Sequence, residues 1–247
     1  MLDWSPFGQI FCILSGSDYR VHVYGEDSIT HVVQEREAKE FFPEFSNKFP
    51  SVVLWIEFHH PSDRTVRLTS VGCECGSLYL FTVDLKSNTI VSSLSTNQGT
   101  SITSSRFFRT GRQLNLLVTN ALLPAVIFNN ILEDGLSVST TLVDSEKQDI
   151  ITCSLVCDIH MDSQPTVLLG TYGQELLAYR LCSNVWVLAW QRSFSHPILA
   201  LDYCDVTGDG VRELVSLTTR GVQILQVKST DSLQKMGKKF GMYRTEC

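Results

Sequence analysis

The residues with the clearest potential for chemistry lie in one short acidic segment, residues 205–213, which reads Asp-Val-Thr-Gly-Asp-Gly-Val-Arg-Glu. Oxygen-bearing side chains alternate along its first half, and hard cations such as calcium prefer oxygen ligands in loops of this kind. Aspartate and glycine also suit a tight turn, because an aspartate carboxylate can accept hydrogen bonds from backbone amides of its own loop. We interpret the segment as a structural turn, and weak calcium binding is the open alternative.

The sequence contains none of the common catalytic motifs. There is no Gly-x-Ser-x-Gly nucleophile segment, no glycine-rich phosphate loop and no His-Glu-x-x-His zinc motif. His59 and His60 precede Asp63, which superficially suggests a metal site, but the ligand spacing is missing and we predict a turn. Apart from the calcium alternative, we therefore expect no enzyme activity and no cofactor.

The eight cysteines do not form a recognisable metal framework. Cys73 and Cys75 are two residues apart on a predicted strand and should point to the same face, while Cys153 and Cys157 lie near a predicted strand end. No Cys-x-x-Cys pair occurs with a second matching pair, as a convincing zinc site requires. We expect free cysteines that behave as small buried hydrophobic residues.

A repeat of about 48 residues organises the chain around the acidic segment. In each copy two apolar segments flank a turn, whose marker residues are Asp18, Gly76, Pro124, Gly173 and Gly221. The markers lie 58, 48, 49 and 48 residues apart. Four short β-rich segments per repeat, at a period of about 40–50 residues, are typical of β-propeller blades, whereas a β-sandwich would not explain the regular spacing. We predict an all-β fold with about five four-stranded blades.

Further predictions concern the ends of the repeat array and its one long interval. The first hairpin begins near Phe11, which leaves no room before it for the outer half of a blade, so we expect the C-terminal portion of a larger, seven-bladed ring. The long interval holds a charged insertion, residues 31–48, which either forms a short helix docked by its phenylalanines or is a solvated loop. We assign residues 1–227 to the propeller and residues 228–247 to a basic, flexible or helical tail.

Composition narrows the class of partners. The net charge of −6 gives no electrostatic footprint for nucleic acid, which normally requires a concentrated basic face. No apolar run reaches the roughly 20 residues that span a bilayer. The N-terminus has no basic segment before its first apolar stretch, so we expect no secretory signal and a soluble, intracellular protein.

Five segments resemble the kaptin family of FG-GAP-like β-propeller proteins. In chain order they are Phe11-Cys-Ile-Leu-Ser-Gly-Ser-Asp18, Ser51-Val-Val-Leu-Trp55, Gly170-Thr-Tyr-Gly-Gln-Glu-Leu-Leu177, Trp190-Gln-Arg-Ser-Phe-Ser195 and Asp205-Val-Thr-Gly-Asp-Gly210. The resemblance extends from about residue 7 to residue 227, and the shared order makes it specific. Family members are longer at the N-terminus, where further blades would complete the ring.

The resemblance to the kaptin family implies a non-enzymatic scaffold. Family members belong to the KICSTOR complex, pair with a second FG-GAP-like propeller, and help to recruit the GATOR complex to lysosomes, which restrains TOR complex 1 signalling when amino acids or glucose are scarce. The protein would then be cytoplasmic and reach the lysosomal membrane indirectly. The family is also associated with actin filaments at lamellipodia, so an actin-binding protein of the cell edge is the alternative. Binding to acidic actin would require a local basic patch, which we find only in residues 235–244.

The FG-GAP resemblance also implies a calcium ligand set, as in integrin blades. By position, the ligands would be Asp205, Thr207, Asp209, the backbone carbonyl of Val211, and Glu213. Thr207 stands where an acidic or amide residue is expected, so the site would have three carboxylates at most. The corresponding loop of the fourth repeat keeps Asp158 and Asp162 but lacks the remaining ligands, so we expect no calcium there.

Overall fold

The computed structural model describes residues 2–4, 10–27, 29–61 and 65–226, and residues 2–4 by their backbone alone. Within these residues there are 19 β-strands, one short α-helix and one 3-10 turn. No helix in the described ranges is long and apolar enough to cross a membrane. The strands form five antiparallel sheets, and the chain divides into two compact units, Met1–Ile151 and Thr152–Cys247.

The first unit contains three four-stranded blades, in each of which strands that follow one another in sequence are paired. The first blade consists of β1 (Leu2–Trp4), β2 (Ile10–Ser15), β3 (Val21–Glu26) and β4 (Val33–Arg36). The second blade consists of β5 (Val53–His59), β6 (Val66–Cys73), β7 (Ser77–Asp84) and β8 (Thr89–Asn97). The third blade consists of β9 (Ile102–Thr110), β10 (Gln113–Asn120), β11 (Val126–Phe128) and β12 (Ser139–Thr141).

The second unit contains a four-stranded blade and, within the described residues, a three-stranded blade. The fourth blade consists of β13 (Ile151–Cys157), β14 (Thr166–Thr171), β15 (Glu175–Cys182) and β16 (Val185–Ser193). The fifth blade consists of β17 (Ile198–Cys204), β18 (Glu213–Thr218) and β19 (Gly221–Leu225). The predicted tail, residues 228–247, lies outside the described residues, so that assignment stays a prediction.

The β-propeller prediction is confirmed, because one repeat corresponds to one blade and every marker lies in or beside the turn between the second and third strands. Gly76 has a φ of +85°, and an added Cβ there would lie 2.8 Å from the carbonyl oxygen of Thr100, so the turn requires glycine. In the turn that contains Gly173, the next residue, Gln174, adopts the left-handed conformation instead. The blades therefore share the position of the turn between the second and third strands, but the residue that adopts a positive φ in this turn differs from blade to blade.

The start of the chain differs from the prediction. β1 pairs with β2, so a strand of the blade does precede the first hairpin, and the expectation that there was no room before it for a further part of a blade is wrong. Part of the predicted insertion, residues 31–48, is β4, which pairs with β3 as the fourth strand of the first blade. It is followed by α1 (Ala38–Phe41) and a 3-10 turn (Pro43–Phe45). Neither alternative holds for the whole segment: β4 is exposed and α1 has no buried residue, whereas Phe42, Phe45 and Phe49 after the helix are buried.

The cysteines only partly follow their prediction. Seven of the eight lie in the described residues, and all seven are free. Cys73 is buried at the end of β6, whereas Cys75 is exposed in the turn that follows, so the prediction of a shared strand face is wrong. The strand ends at Cys73 because the chain reverses at Gly76, and Cys75 therefore belongs to the turn.

Adjacent blades meet at a repeated joint in each unit. In the first unit, Gly72 on β6 lies against Ile102, the first residue of β9, and a Cβ on the glycine would lie 2.5 Å from Cγ2 of the isoleucine. In the second unit, Gly170 on β14 lies against Ile198, the first residue of β17. A Cβ added to this glycine would lie 2.7 Å from Cγ2 of Ile198. Both isoleucines are fully buried. The joint has no room for a methyl group, so the glycines set how closely the two sheets approach.

Candidate functional site

The acidic segment is the loop between β17 and β18 of the fifth blade. One carboxylate oxygen of Asp205 accepts hydrogen bonds from the backbone amides of Gly208 (2.7 Å) and Asp209 (3.2 Å). The other oxygen accepts from the amide of Gly210 at 2.8 Å, and Asp209 accepts from the amide of Val211 at 2.9 Å. Both aspartates thus bind backbone amides of their own loop, as aspartates in tight turns do.

Glu213 closes the loop from its other end. It is the first residue of β18, and only 3% of its surface is exposed. One carboxylate oxygen accepts a hydrogen bond from the backbone amide of Val206 at 2.9 Å, and the other accepts from the hydroxyl of Thr207 at 3.2 Å. A buried carboxylate requires hydrogen-bond donors, and these two bonds supply them.

The arrangement fits the structural-turn interpretation of the acidic segment. Its carboxylates face amide and hydroxyl hydrogens, which calcium would have to displace. Across the described ranges, no three His, Cys, Asp or Glu side chains are grouped so that they could hold a metal ion. The residues present therefore do not form a prepared calcium site, and calcium binding by Asp205, Thr207, Asp209, Val211 and Glu213 stays a hypothesis for titration.

The corresponding loop of the fourth blade uses its aspartates in the same way. Asp158 accepts hydrogen bonds from the backbone amides of Asp162 (3.0 Å) and Ser163 (2.7 Å). Asp162 forms an ion pair with Arg180 at 2.5 Å. Burial acts to raise the pKa of Asp162, but the hydrogen bonds from Arg180 and the backbone amide of Gln164, together with the nearby positive charge, outweigh it and the pKa is lowered overall. In both the fourth and the fifth blade, an aspartate at the start of this loop therefore stabilises the turn by accepting hydrogen bonds from backbone amides.

A second site, of which the sequence singled out only the two histidines, lies at the ends of β5 and β9 in the first unit. The rings of His59 and Phe107 are 5.5 Å apart, so the end of β5 lies beside β9. Arg109, near the end of β9, and Arg112, in the turn between β9 and β10, are both exposed. We call His59, His60, Arg109 and Arg112 the basic end.

The basic end has a positive electrostatic environment. Burial lowers the pKa of the His59 imidazole, and the charges of Arg109 and His60 lower it further. The Nε2 atom of His59 is buried and has no hydrogen-bond partner in the described part of the chain. Such surroundings disfavour a bound cation. The suggested metal partner of the histidines, Asp63, lies outside the described residues.

Arg106, which lies on β9 together with Arg109, differs from the two arginines of the basic end. Its guanidinium pairs with Glu57 at 3.4 Å and lies 4.9 Å from the centre of the Trp55 ring. Burial raises the pKa of Glu57, although the charge of Arg106 opposes this. Arg109 and Arg112 form no ion pair with any described residue. Arg106 is thus occupied within the fold, and the two other arginines are available to a partner.

Comparison with known proteins identifies relatives. A family profile described as "KICSTOR complex protein kaptin" matches residues 4–114 and 109–237. The chain is 36% identical over 230 residues to the KICSTOR complex protein kaptin of Mus musculus. The match covers 87% of this chain and 53% of the mouse protein, so the chain spans about half the length of that relative.

Solved structures with a similar fold include two crystals of BBS1N in complex with ARL6DN, one soaked with mercury and one with lead. Their TM-scores are 0.57 and 0.56, and the sequence identity is 13% in both cases. Each comparison covers 90% of this chain and 62% of the other. At this identity the likeness concerns the fold alone.

Proposed function

Because this chain belongs to the kaptin family, we propose that it is a non-enzymatic scaffold that assembles with the other proteins of a KICSTOR-type complex. The observation that carries the proposal is the family match, which extends over residues 4–237. The fold supports it, since repeat proteins of this kind offer extended surfaces and often serve as interaction platforms.

The finer part of the proposal is the role of that complex. We propose that the chain pairs with a second FG-GAP-like propeller, helps to recruit the GATOR complex to lysosomes, and so restrains TOR complex 1 signalling during amino acid or glucose starvation. The protein would be cytoplasmic, and its partners would bring it to the lysosomal membrane. This role follows from the family resemblance.

A tagged pull-down tests the scaffold proposal. The tagged chain is expressed beside the longer mouse relative, and the KICSTOR and GATOR subunits that co-purify are quantified with and without amino acids. We expect KICSTOR subunits with both baits, because the matched residues include most of this chain. A stable pool of the chain that is free of those subunits during starvation would contradict the proposal.

Actin-filament binding is the second candidate function. The observation that favours it is the basic end, since an acidic filament requires a local positive surface and the protein as a whole carries a charge of −6. Co-sedimentation with filaments at low and high salt tests it. We expect pelleting that salt abolishes, and a fraction in the pellet that does not depend on salt would contradict this mode of binding.

A further inference from the structure

The basic end places two exposed positive charges near the contact between the rings of His59 and Phe107. Arg109 lies near the end of β9 and Arg112 lies in the turn that follows, so both residues are at the same end of the third blade. Gly111 at this turn has a φ of +60°, and nothing lies within 4 Å of where its Cβ would be. The turn is therefore open to an approaching molecule.

The histidines add a second component beside the arginines. His59 ends β5, its ring contacts Phe107, and its Nε2 atom is buried without a partner in the described residues. Phe107 and Arg109 are two residues apart on β9 and so lie on the same face of that strand, which places the histidine ring on the side from which Arg109 extends. The residues of the basic end are thus complementary to a carboxylate and not to a cation.

The size and setting of the charge favour one kind of partner. Arginine binds a carboxylate through two parallel hydrogen bonds, which gives geometric specificity to a small number of charges. Nucleic acid and anionic membranes bind through many basic residues, of the order of four to eight for a membrane, and the remainder of this protein is acidic. An acidic protein segment requires only a few charge pairs with an apolar support, and that is what the basic end provides.

We propose that the basic end, through Arg109 and Arg112, is a docking site for an acidic segment of a partner protein. The inference deepens the proposed scaffold role and rests on it only in taking the ligand to be a protein. Neighbouring Asp and Glu side chains of the partner would pair with the two arginines. The ring of Phe107 would lie under the bound segment.

The test uses the full chain and a synthetic probe. A fluorescein-labelled peptide of eight glutamates is titrated with the protein, and binding is followed by anisotropy at about 50 mM and about 300 mM salt. A peptide of eight glutamines and vesicles of phosphatidylserine and phosphatidylcholine are titrated in parallel. The double variant Arg109→Gln/Arg112→Gln is compared with Arg220→Gln, a variant of an exposed arginine in the turn between β18 and β19 that forms no ion pair with a described residue.

We expect the glutamate peptide to bind at low salt and the double variant to weaken binding about tenfold or more. Arg220→Gln should change the affinity less than about twofold, and the glutamine peptide should not bind. Equal losses in both variants, binding of the glutamine peptide, binding to phosphatidylserine vesicles alone, or no saturable binding would each overturn the proposal. Because all exchanged residues are exposed, melting temperatures should match, which shows that the variants fold.

The same variants separate this inference from the proposed function. If the wild-type chain binds the glutamate peptide but captures no KICSTOR subunit, the docking site stands and the scaffold proposal fails. If the wild-type chain captures KICSTOR subunits but shows no peptide binding, the scaffold proposal stands and the docking site fails. If both hold, capture by the double variant shows whether the basic end contributes to the complex.

Discussion

The guanidinium of Arg67 donates hydrogen bonds to both carboxylate oxygens of Glu44, each at 3.0 Å, and the side chains are 3% and 0% exposed. Glu44 lies in the 3-10 turn after the first blade, and Arg67 lies on β6 of the second blade. The hydroxyl of Thr69 donates a further bond to Glu44 at 2.7 Å, and the Phe42 ring lies 4.4 Å from the guanidinium carbon. This buried pair joins the segment after β4 to the second blade.

Removal of one partner of this pair should be costly. We expect Glu44→Gln to lower the free energy of unfolding by about 3–5 kcal/mol, because it leaves the Arg67 charge buried without its counter-ion. Urea denaturation measures the change, and Glu40→Gln on the exposed surface of α1 is the matched control, with an effect below about 0.5 kcal/mol. The double variant Glu44→Leu/Arg67→Met should lose less than Glu44→Gln alone, since no charge is then buried. Equal effects of the two glutamine variants would show that the pair does not hold the segment.

The joint between Gly72 and Ile102 gives a steric prediction. Gly72→Ala should lower the free energy of unfolding by about 1–3 kcal/mol, because its methyl group would overlap Cγ2 of the isoleucine. Ile102→Ala should cost about 2–5 kcal/mol through the cavity it leaves. In the double variant the new methyl group occupies space that the isoleucine has vacated. The loss of unfolding free energy in the double variant should therefore be smaller than the sum of the losses in the two single variants. Simple additivity in urea denaturation would count against the close contact.

A pH-dependent contribution to stability is expected from His22 on β3. Its Nδ1–H donates to Glu35 at 2.6 Å and its Nε2–H donates to Asp18 at 3.2 Å. The hydrogen bond to Glu35, and then that to Asp18, raises the pKa of His22, although partial burial opposes them. Because the pKa is raised on folding, this stabilisation is complete below the unfolded-state pKa of about 6.5 and is lost as the pH rises through the higher folded-state value.

The measurement compares wild type with His22→Gln in thermal unfolding at about pH 6 and about pH 8.5. We expect the wild type to be the more stable protein at the lower pH and the difference to shrink at the higher pH. An NMR titration of the imidazole gives the folded-state pKa directly. A difference that is the same at both pH values, or a titration at or below the usual histidine pKa, would refute the prediction.

Much of the fold could be predicted from the sequence because the repeat is periodic. Strands buried on both faces, such as β14, consist of uninterrupted apolar and small residues. Each is followed by a recognisable turn, and this combination of strand and turn recurs at nearly constant spacing along the sequence. The outer strand β4 is exposed and polar, and its sequence resembles a solvated segment more than a strand. The three residues of β1 are too few to show a pattern.

The sites were harder to predict because they depend on contacts between distant segments. Glu44 and Arg67 are 23 residues apart, and His59 and Arg109 are 50 residues apart, with no periodic signal to connect them. The basic end exists because β5 and β9 lie side by side, which only the assembled blades reveal. The acidic loop was found because its residues are contiguous, and its aspartates bind the local amides that its composition suggested.

The acidic loop supports a final prediction about calcium. Asp205→Ala removes the acceptor of three backbone amides and should lower the free energy of unfolding by about 1–3 kcal/mol, with or without calcium. Asp202→Ala, at an exposed position of β17, is the control and should change it by less than about 0.5 kcal/mol. Because the carboxylates already bind amides, calcium should produce no heat in calorimetric titration, and a chelator should leave the melting temperature of the wild type unchanged. A heat of binding that disappears in Asp205→Ala, together with a lower melting temperature in chelator, would establish calcium binding and displace the structural-turn interpretation.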